Sequence, residues 1–285
     1  MASKVAVVTG SNKGIGLGIV RGLCKKFEGD VYLTSRTVDL GEKAAAELRK
    51  ELTPEAGKKL KYHQLDITDT ATVTKLHDHL KSTYGGLDLL VNNAGIAFKN
   101  AATEPMHVQA EVTIRTNYYG TKNACDILFP LLRKGARVVN VCSRAGTLHG
   151  YSDAVVKRLT SEQTTPKELD AIAEEFKSAS KDGTFKEKGF VGSTYCMSKA
   201  LEIALTFWQQ REMLKTRPDD QIQAHACCPG MVATDMTGHY PGALTIDQGA
   251  EIALLLSFLP YQKEKLFRFW FDGQDHDWDA TNFFA

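Results

Sequence analysis

Short apolar runs alternate with longer amphipathic ones along this chain, and the alternation predicts its architecture. Val5-Ala6-Val7-Val8, Asp30–Thr34, Lys61–Leu65, Leu87–Val91 and Arg137–Val141 read as strands, with Gln223–Cys227 a sixth and Leu266–Phe271 a seventh. Helical patterns lie between them, over Gly16–Lys26, Gly41–Leu52, Ala71–Tyr84, His107–Leu132 and Ser198–Leu214. Such alternation calls for βαβ units and a parallel sheet covered by helices on both faces. The first strands are almost continuously apolar, as strands buried on both sides must be.

One region breaks the rhythm. Between Gly146 and Gly192 no strand is convincing. Pro166 is followed by Leu169, Ile172, Ala173 and Phe176, a spacing that predicts an amphipathic helix with proline in its first turn. Val155, Val156 and Leu159 predict a shorter helix before it, and Lys181-Asp182-Gly183 and Lys188-Gly189 read as loops. A stretch of this size is marginal as an independent core. The chain is therefore expected to be a single domain, residues 1–285, with a helical insertion at about 146–192.

With 285 residues, 43% of them hydrophobic, the chain can bury a large core. Its formal charge of +1 gives no general attraction to nucleic acid or an anionic membrane. No apolar run is long enough to span a bilayer, and the N-terminus shows no signal-peptide pattern, so neither a membrane nor a nucleic-acid partner is expected. The six cysteines are scattered and include the adjacent pair Cys227-Cys228, a poor disulfide framework. They read as reduced thiols of a cytoplasmic protein. With no CxxC, zinc is not expected, and the carboxylates of Phe271–Asp279 read as a polar tail after the last strand; no metal is expected.

The first strand runs into Thr9-Gly10-Ser11-Asn12-Lys13-Gly14-Ile15-Gly16, which opens the first helix. Glycines there permit a tight turn and a close approach of backbone to a pyrophosphate held at the helix N-terminus. A plain βα turn is the bland alternative, and the strand before and helix after favour the dinucleotide. At the end of the second strand an NAD site wants a carboxylate; Arg36 stands there instead. A guanidinium suits the 2′-phosphate of NADP, gripping its oxygens at two points, and Lys13 adds a second positive charge. The competing reading is an Arg36 that is simply solvated. Asp66, after the third strand, is placed to accept a hydrogen bond from an adenine amino group. Asn92-Asn93-Ala94-Gly95 closes the fourth strand, where small residues let backbone approach the adenine ribose while the asparagines cap and turn the chain.

Tyr195 and Lys199 stand one helical turn apart, so they share a face. A phenol beside an ammonium is a more acidic proton donor. Alone, such a pair most often marks a solvated helix face; here it follows a dinucleotide loop and a serine that ends a strand.

Thr9-Gly10-x-x-x-Gly14-Ile15-Gly16, Asn92-Asn93-Ala94-Gly95, Asn117, Ser143, Tyr195-x-x-x-Lys199 and Pro229-Gly230 occur in the order of the short-chain dehydrogenase/reductase family. The chain resembles that family along nearly its whole length, in the monomeric carbonyl reductase type with a long insert before the tyrosine. The resemblance implies an α/β fold, a three-layer Rossmann-type doubly wound sheet of seven parallel strands. It implies an oxidoreductase acting on CH–OH groups: an NADPH-dependent carbonyl reductase that transfers hydride to aldehydes, ketones or quinones. In it Tyr195 is the general acid, Lys199 lowers the phenol's pKa and holds the nicotinamide ribose, Ser143 binds the carbonyl oxygen, and Asn117 bends its helix and holds a relay water. An ordinary helical polar residue is the alternative for Asn117. Cofactor contacts are implied for Gly10, Asn12, Lys13, Gly14, Ile15, Gly16, Arg36, Asp66, Ile67, Asn93, Ala94, Gly95, Tyr195, Lys199, Pro229, Gly230, Val232 and Thr234. Substrate contacts are implied for Ser143, Ala145, Tyr195, Cys228 and Met231. Cys228 matches a cysteine near the substrate mouth, open to thiol reagents and glutathione conjugates, and reads equally as a small buried residue. Met231 stands in place of a tryptophan, and Arg144 and Ala145 replace bulkier apolar residues. These changes keep open a selective steroid, prostaglandin, pterin or terpenoid ketone reductase on the same scaffold, with a non-catalytic NADP-binding regulator the weaker rival. The insert is expected to cover the surface that other members use to dimerise, which predicts a monomer.

Overall fold

In the computed structural model, which describes residues 3–99 and 101–278, the apolar runs become strands and the amphipathic runs helices. Strands β1 (Lys4–Val8), β2 (Gly29–Ser35), β3 (Leu60–Gln64) and β4 (Leu87–Asn92) alternate with helices α1 (Gly14–Lys26), α2 (Val38–Glu51), α3 (Pro54–Lys59) and α4 (Thr70–Tyr84). Then come α5 (Met106–Ile114), a π-helical stretch (Arg115–Gly120), α6 (Thr121–Leu128), β5 (Leu132–Val141), α7 (Asp153–Thr160), α8 (Pro166–Asp182) and α9 (Thr194–Thr216). Strand β6 (Gln223–Cys227), α10 (Ile246–Phe258), β7 (Phe269–Phe271) and β8 (Gln274–His276) complete the order.

The sheet has eight strands in the order β3-β2-β1-β4-β5-β6-β7-β8. Every neighbouring pair is parallel except β7 and β8. Successive strands are added in one direction from β1 to β3 and in the other from β4 onward. The crevice at the carboxyl ends of β1 and β4 is thus the switch point at which open α/β sheets bind ligands. Alternation within strands sorts the core. Ala6 and Val8 of β1 join the side chains of α1, α2 and α10 on one face, whereas Val5 and Val7 join α4 and α6 on the other.

The sequence reading needs four corrections. The sheet has eight strands, not seven, because the carboxylate-rich segment after Phe271 is no polar tail. Asp272 and Gly273, both at positive φ (50° and 74°), turn the chain, and Gln274–His276 pairs antiparallel with β7. Asp275 is ion-paired to Lys265 and Arg268, and Arg268 also reaches Asp277; Asp279 lies outside the described residues. The seventh strand begins at Phe269, since Phe267 has φ 61° and breaks the extended run. The expected helix over His107–Leu132 is interrupted at Arg115–Gly120 and ends before β5. Helices α3 and α10 were not expected; α10 carries a capping box, Thr245 with Gln248, that a closer reading would have found.

The insertion holds the two expected helices. Thr165 caps α8, Pro166 opens it and Gly183 closes it in the left-handed conformation. Val155, Leu159, Leu169, Ile172 and Phe176 enter one cluster with Ala110 and Ile114 of α5 and Ala200 and Ala204 of α9. Among the described residues, no helix is long and apolar enough to cross a membrane.

Candidate active site

The glycine loop leaves β1 and is held by contacts within the protein. Gly10 has φ 59°, and a Cβ placed there would stand 2.8 Å from the Ala94 backbone. At Gly16 a Cβ would stand 2.4 Å from Asn93 Nδ2. That amide donates to the carbonyls of Thr9 and Gly10, both at 3.0 Å. Thr9 Oγ1 in return accepts from the backbone N–H groups of Asn93 and Ala94 at 2.9 and 3.0 Å. Asn93 and Ala94 therefore lock the turn. Helix α1 then starts at Gly14 with no side-chain cap and no acidic residue in its first turn. Its leading N–H groups are left as donors, a cradle that fits a dinucleotide pyrophosphate. Asn12 and Ile15 are half-buried along this loop.

The expected base-side residues take their places around that crevice. Arg36 is exposed just past β2, with no carboxylate at ion-pair distance among the described residues. Asp66 uses one oxygen to hold its own turn, accepting from Thr68 N at 2.9 Å and Thr68 Oγ1 at 2.8 Å. The neighbouring Ile67 is buried, its carbonyl accepting from Asn123 Nδ2 at 2.9 Å. Lys13, expected to add a second positive charge, is ion-paired across the crevice. Its Nζ is 2.6 Å from Asp235 Oδ2, and His239 Nε2 is 3.1 Å from the other oxygen. Lys13 and then His239 hold the Asp235 carboxyl below the ordinary carboxylate range. The cause is the segment after β6, which folds back over the glycine loop: Thr234 Cγ2 lies 3.6 Å from where a Gly14 Cβ would be.

At the opposite side stands α9. Ser193 caps it, accepting from Cys196 N at 3.2 Å, which puts Tyr195 in the first turn and Lys199 one turn further on. Lys199 Nζ is 5.8 Å from the centroid of the Tyr195 ring. Lys199 is only 4% exposed. It donates to the Val141 carbonyl at 3.1 Å. Ser143, just past β5, accepts from Ala145 N at 3.1 Å and so orients the short turn Arg144–Gly146. Its hydroxyl also bears on the Tyr195 phenol.

Asn117 lies within the π-helical stretch and is fully buried. The widened turn aims its amide at the loop after β4, where it accepts from Ile96 N at 2.8 Å and donates to Ile96 O at 2.9 Å. It also donates to Ser198 Oγ at 2.9 Å, and Ser198 donates to the Tyr195 carbonyl at 2.8 Å. A Cβ on Gly95 would lie 3.3 Å from Asn117 Oδ1 and 3.5 Å from Lys199 Nζ. The four residues, from three parts of the chain, thus converge.

Burial pushes the Tyr195 phenol up, while Lys199 and Ser143 draw it back down. Burial also works against the Lys199 ammonium, yet a carboxylate beside it holds its pKa well above the ordinary lysine value. That carboxylate is Glu202, 2% exposed, with Oε2 at 2.7 Å from Nζ. Sequence reasoning gave Glu202 no role. The signal was available: it is the one charged residue in the apolar run Ala200-Leu201-Glu202-Ile203-Ala204-Leu205.

The wall facing the glycine loop is formed after β6. Pro229 and Gly230 turn the chain, Gly230 at φ 80°. Cys228 is 5% exposed, and its Sγ accepts from Gly230 N at 3.4 Å; of its two readings, the geometry fits the buried small residue. Val232 is buried and bridges to Leu244. Thr234 N donates to Thr237 Oγ1 at 3.0 Å. Met231 is 57% exposed and Ala145 half-buried. The serine turn is braced by the C-terminal hairpin: Arg144 lies over the Phe271 ring, and buried Trp278 donates to the Gly146 carbonyl at 2.9 Å. Neither contact was foreseen.

The comparisons agree with this geometry. Residues 4–155 match the short chain dehydrogenase family. The NADPH carbonyl reductase 1 of Macaca fascicularis is 43% identical over 265 residues, 92% of this chain and 93% of that protein. Among solved structures, salutaridine reductase from Papaver somniferum superposes with a TM-score of 0.80 at 29% identity, covering 91% of this chain and 97% of its own. The menthone neomenthol reductase of Mentha piperita gives 0.75 at 32% identity, covering 92% and 96%. With its glycine loop, switch-point crevice and convergent Asn117, Ser143, Tyr195 and Lys199, the chain belongs to the short-chain dehydrogenase/reductase family.

Proposed function

We propose that this protein is an NADPH-dependent carbonyl reductase, acting on aldehydes, ketones or quinones. The observation that carries the reading is the convergence of Tyr195, Lys199 and Ser143, with Gly95 packed against Lys199 Nζ and its neighbour Ala94 against Gly10 of the glycine loop. Bound NADPH supplies the hydride. Backbone from Gly10 to Gly16 receives the pyrophosphate, Arg36 the 2′-phosphate, and Asp66 and Asn93-Ala94-Gly95 flank the adenosine. Tyr195 gives its proton to the carbonyl oxygen, and Ser143 donates a hydrogen bond to the same atom and steadies its growing charge. Lys199 holds the ribose hydroxyls and lowers the cost of leaving a phenolate. Asn117 fixes the Ile96 backbone against α9 and so aligns the tyrosine turn.

A second reading is a selective reductase of bulky apolar ketones. It is favoured by the apolar side chains that the segment after β6 turns outward, Met231 at 57%, Met236 at 44% and Tyr240 at 63% exposure. We also read residues 1–285 as one domain, monomeric and cytoplasmic. Packing of α7 and α8 over α5 and α9 supports the monomer, and six unpaired cysteines suit a reducing compartment. A carbonyl panel run with NADPH and NADH tests the function. Expected is NADPH consumption with quinones and aldehydes, with Tyr195→Phe slower by about 10²–10⁴-fold. No turnover on any carbonyl, or an unimpaired Tyr195→Phe, would overturn it.

A further inference from the structure

The strongest unexplained feature lies beneath the site. Glu202 and Lys199, at i+3 and i on α9, form a 2.7 Å ion pair with both side chains almost wholly inside the protein, 2% and 5% exposed. A buried charge persists only when paired, so the placement of this carboxylate is specific to Lys199. The rest of its surroundings are neutral. Thr121 of α6 faces the carboxylate with its hydroxyl. Cys125 of α6 and Cys142 at the end of β5 are thiols that burial keeps protonated. Around the Tyr195 phenol stand the Ser143 hydroxyl from the end of β5 and the Cys228 thiol from the end of β6. Among the described residues, Lys199 and Glu202 are the buried ion pair that acts on this tyrosine, the ammonium lowering its pKa and the carboxylate raising it.

We propose that Glu202 is a positioning residue that acts as a counterweight to Lys199, anchoring the ammonium while offsetting its charge, so that Tyr195 keeps its proton and the site is biased toward reduction. The inference rests on the carbonyl-reductase reading for its consequence, not for its electrostatics. A lone ammonium favours phenolate, and a carboxylate beside it weakens that pull. Reduction needs the phenol and fades as pH rises through the tyrosine's pKa. Alcohol oxidation needs the phenolate and grows over the same range. Holding that pKa high therefore widens the range over which the site reduces. Asn117 and Ser198 fix the backbone of the Tyr195 turn independently, so the effect of Glu202 on Tyr195 is one of charge.

The test is a ¹³C-tyrosine NMR titration of the full chain without substrate, the Tyr195 resonance identified by its loss in Tyr195→Phe. In Glu202→Gln its midpoint should fall by about one pH unit or more, while Glu202→Asp, which keeps the charge, should stay near wild type. An unchanged or raised midpoint in Glu202→Gln overturns the proposal. Because Glu202→Gln leaves a buried ammonium unpaired, the double variant Lys199→Met, Glu202→Leu serves as the second arm, since buried pairs are often replaced by apolar residues without loss of fold. With both charges gone the midpoint should lie within about one unit of wild type; a larger rise would mean Lys199 acts uncompensated, and would sink the idea. In the active enzyme, Glu202→Gln should move the alkaline limb of reduction down by the same amount. The titration needs no turnover, so a protein that reduces no carbonyl would refute the activity and leave the counterweight measurable.

Discussion

The glycine loop and the segment after β6 face each other across one crevice, and they are built in opposite ways. The loop is held by backbone: Gly10 and Gly16 have no room for a single added carbon, and Asn93 and Thr9 cross-link it with four hydrogen bonds of 2.9 to 3.0 Å. The opposite wall turns Met231, Met236 and Tyr240 outward and is joined to the loop by the exposed Lys13–Asp235 pair. Exposed ion pairs contribute little to stability. A wall of flexible, polarizable side chains tolerates varied shapes, while a wall of close-packed backbone admits one. One wall, proposed for the cofactor, is thus specified by what cannot fit, and the other, proposed for the substrate, by what can adapt.

Three substitutions would break or sharpen that contrast. The largest effect is expected from Gly10→Ala, which combines a left-handed φ with overlap on Ala94: a loss of roughly 2–4 kcal/mol of stability, seen as a lower Tm together with weaker NADPH binding. A variant as stable as wild type would show that the loop yields, and the contrast would collapse. Next, Arg36→Asp should weaken NADPH by about 1.5–3 kcal/mol, the value of a charge-assisted hydrogen bond, and shift preference toward NADH in paired Kd measurements. Equal weakening of both cofactors would remove Arg36 from the phosphate site. The smallest effect is expected across the crevice: Met231→Ala should change stability by no more than ~0.5 kcal/mol and leave NADPH affinity alone. It should raise KM for bulky apolar ketones by up to about tenfold; a loss of cofactor affinity instead would mean that the two walls act as one.

The same contrast explains what could be read from the sequence. Features carried by neighbours along the chain were legible: the βα turn with its glycines, the tyrosine and lysine one turn apart, the apolar stripe of α8 starting at Pro166. Features made between distant segments were not. Nothing near Lys13 in sequence announces Asp235, more than two hundred residues on, so its pairing with the facing loop could not be read. Strand β8 is three residues long and polar, and no periodicity exists over so short a run. Its pairing depends on Asp272 adopting a conformation that aspartate visits only occasionally. That Asn117 bends its helix was legible only through the family resemblance, since a π-helical turn leaves no mark on the hydrophobic pattern. Glu202 is the instructive omission. A carboxylate interrupting an apolar helix face is a local signal, and it went unread because its partner already had a role.

The bond from Trp278 to the Gly146 carbonyl also sets an order of events. The two residues are 132 positions apart. During synthesis, at about 5–20 residues per second, the turn that carries Ser143 emerges roughly ten seconds before the indole that braces it. The glycine loop, by contrast, closes on β4 early in the life of the chain. A nascent chain should therefore form its glycine-loop cradle well before the Ser143 turn is finally clamped by Trp278.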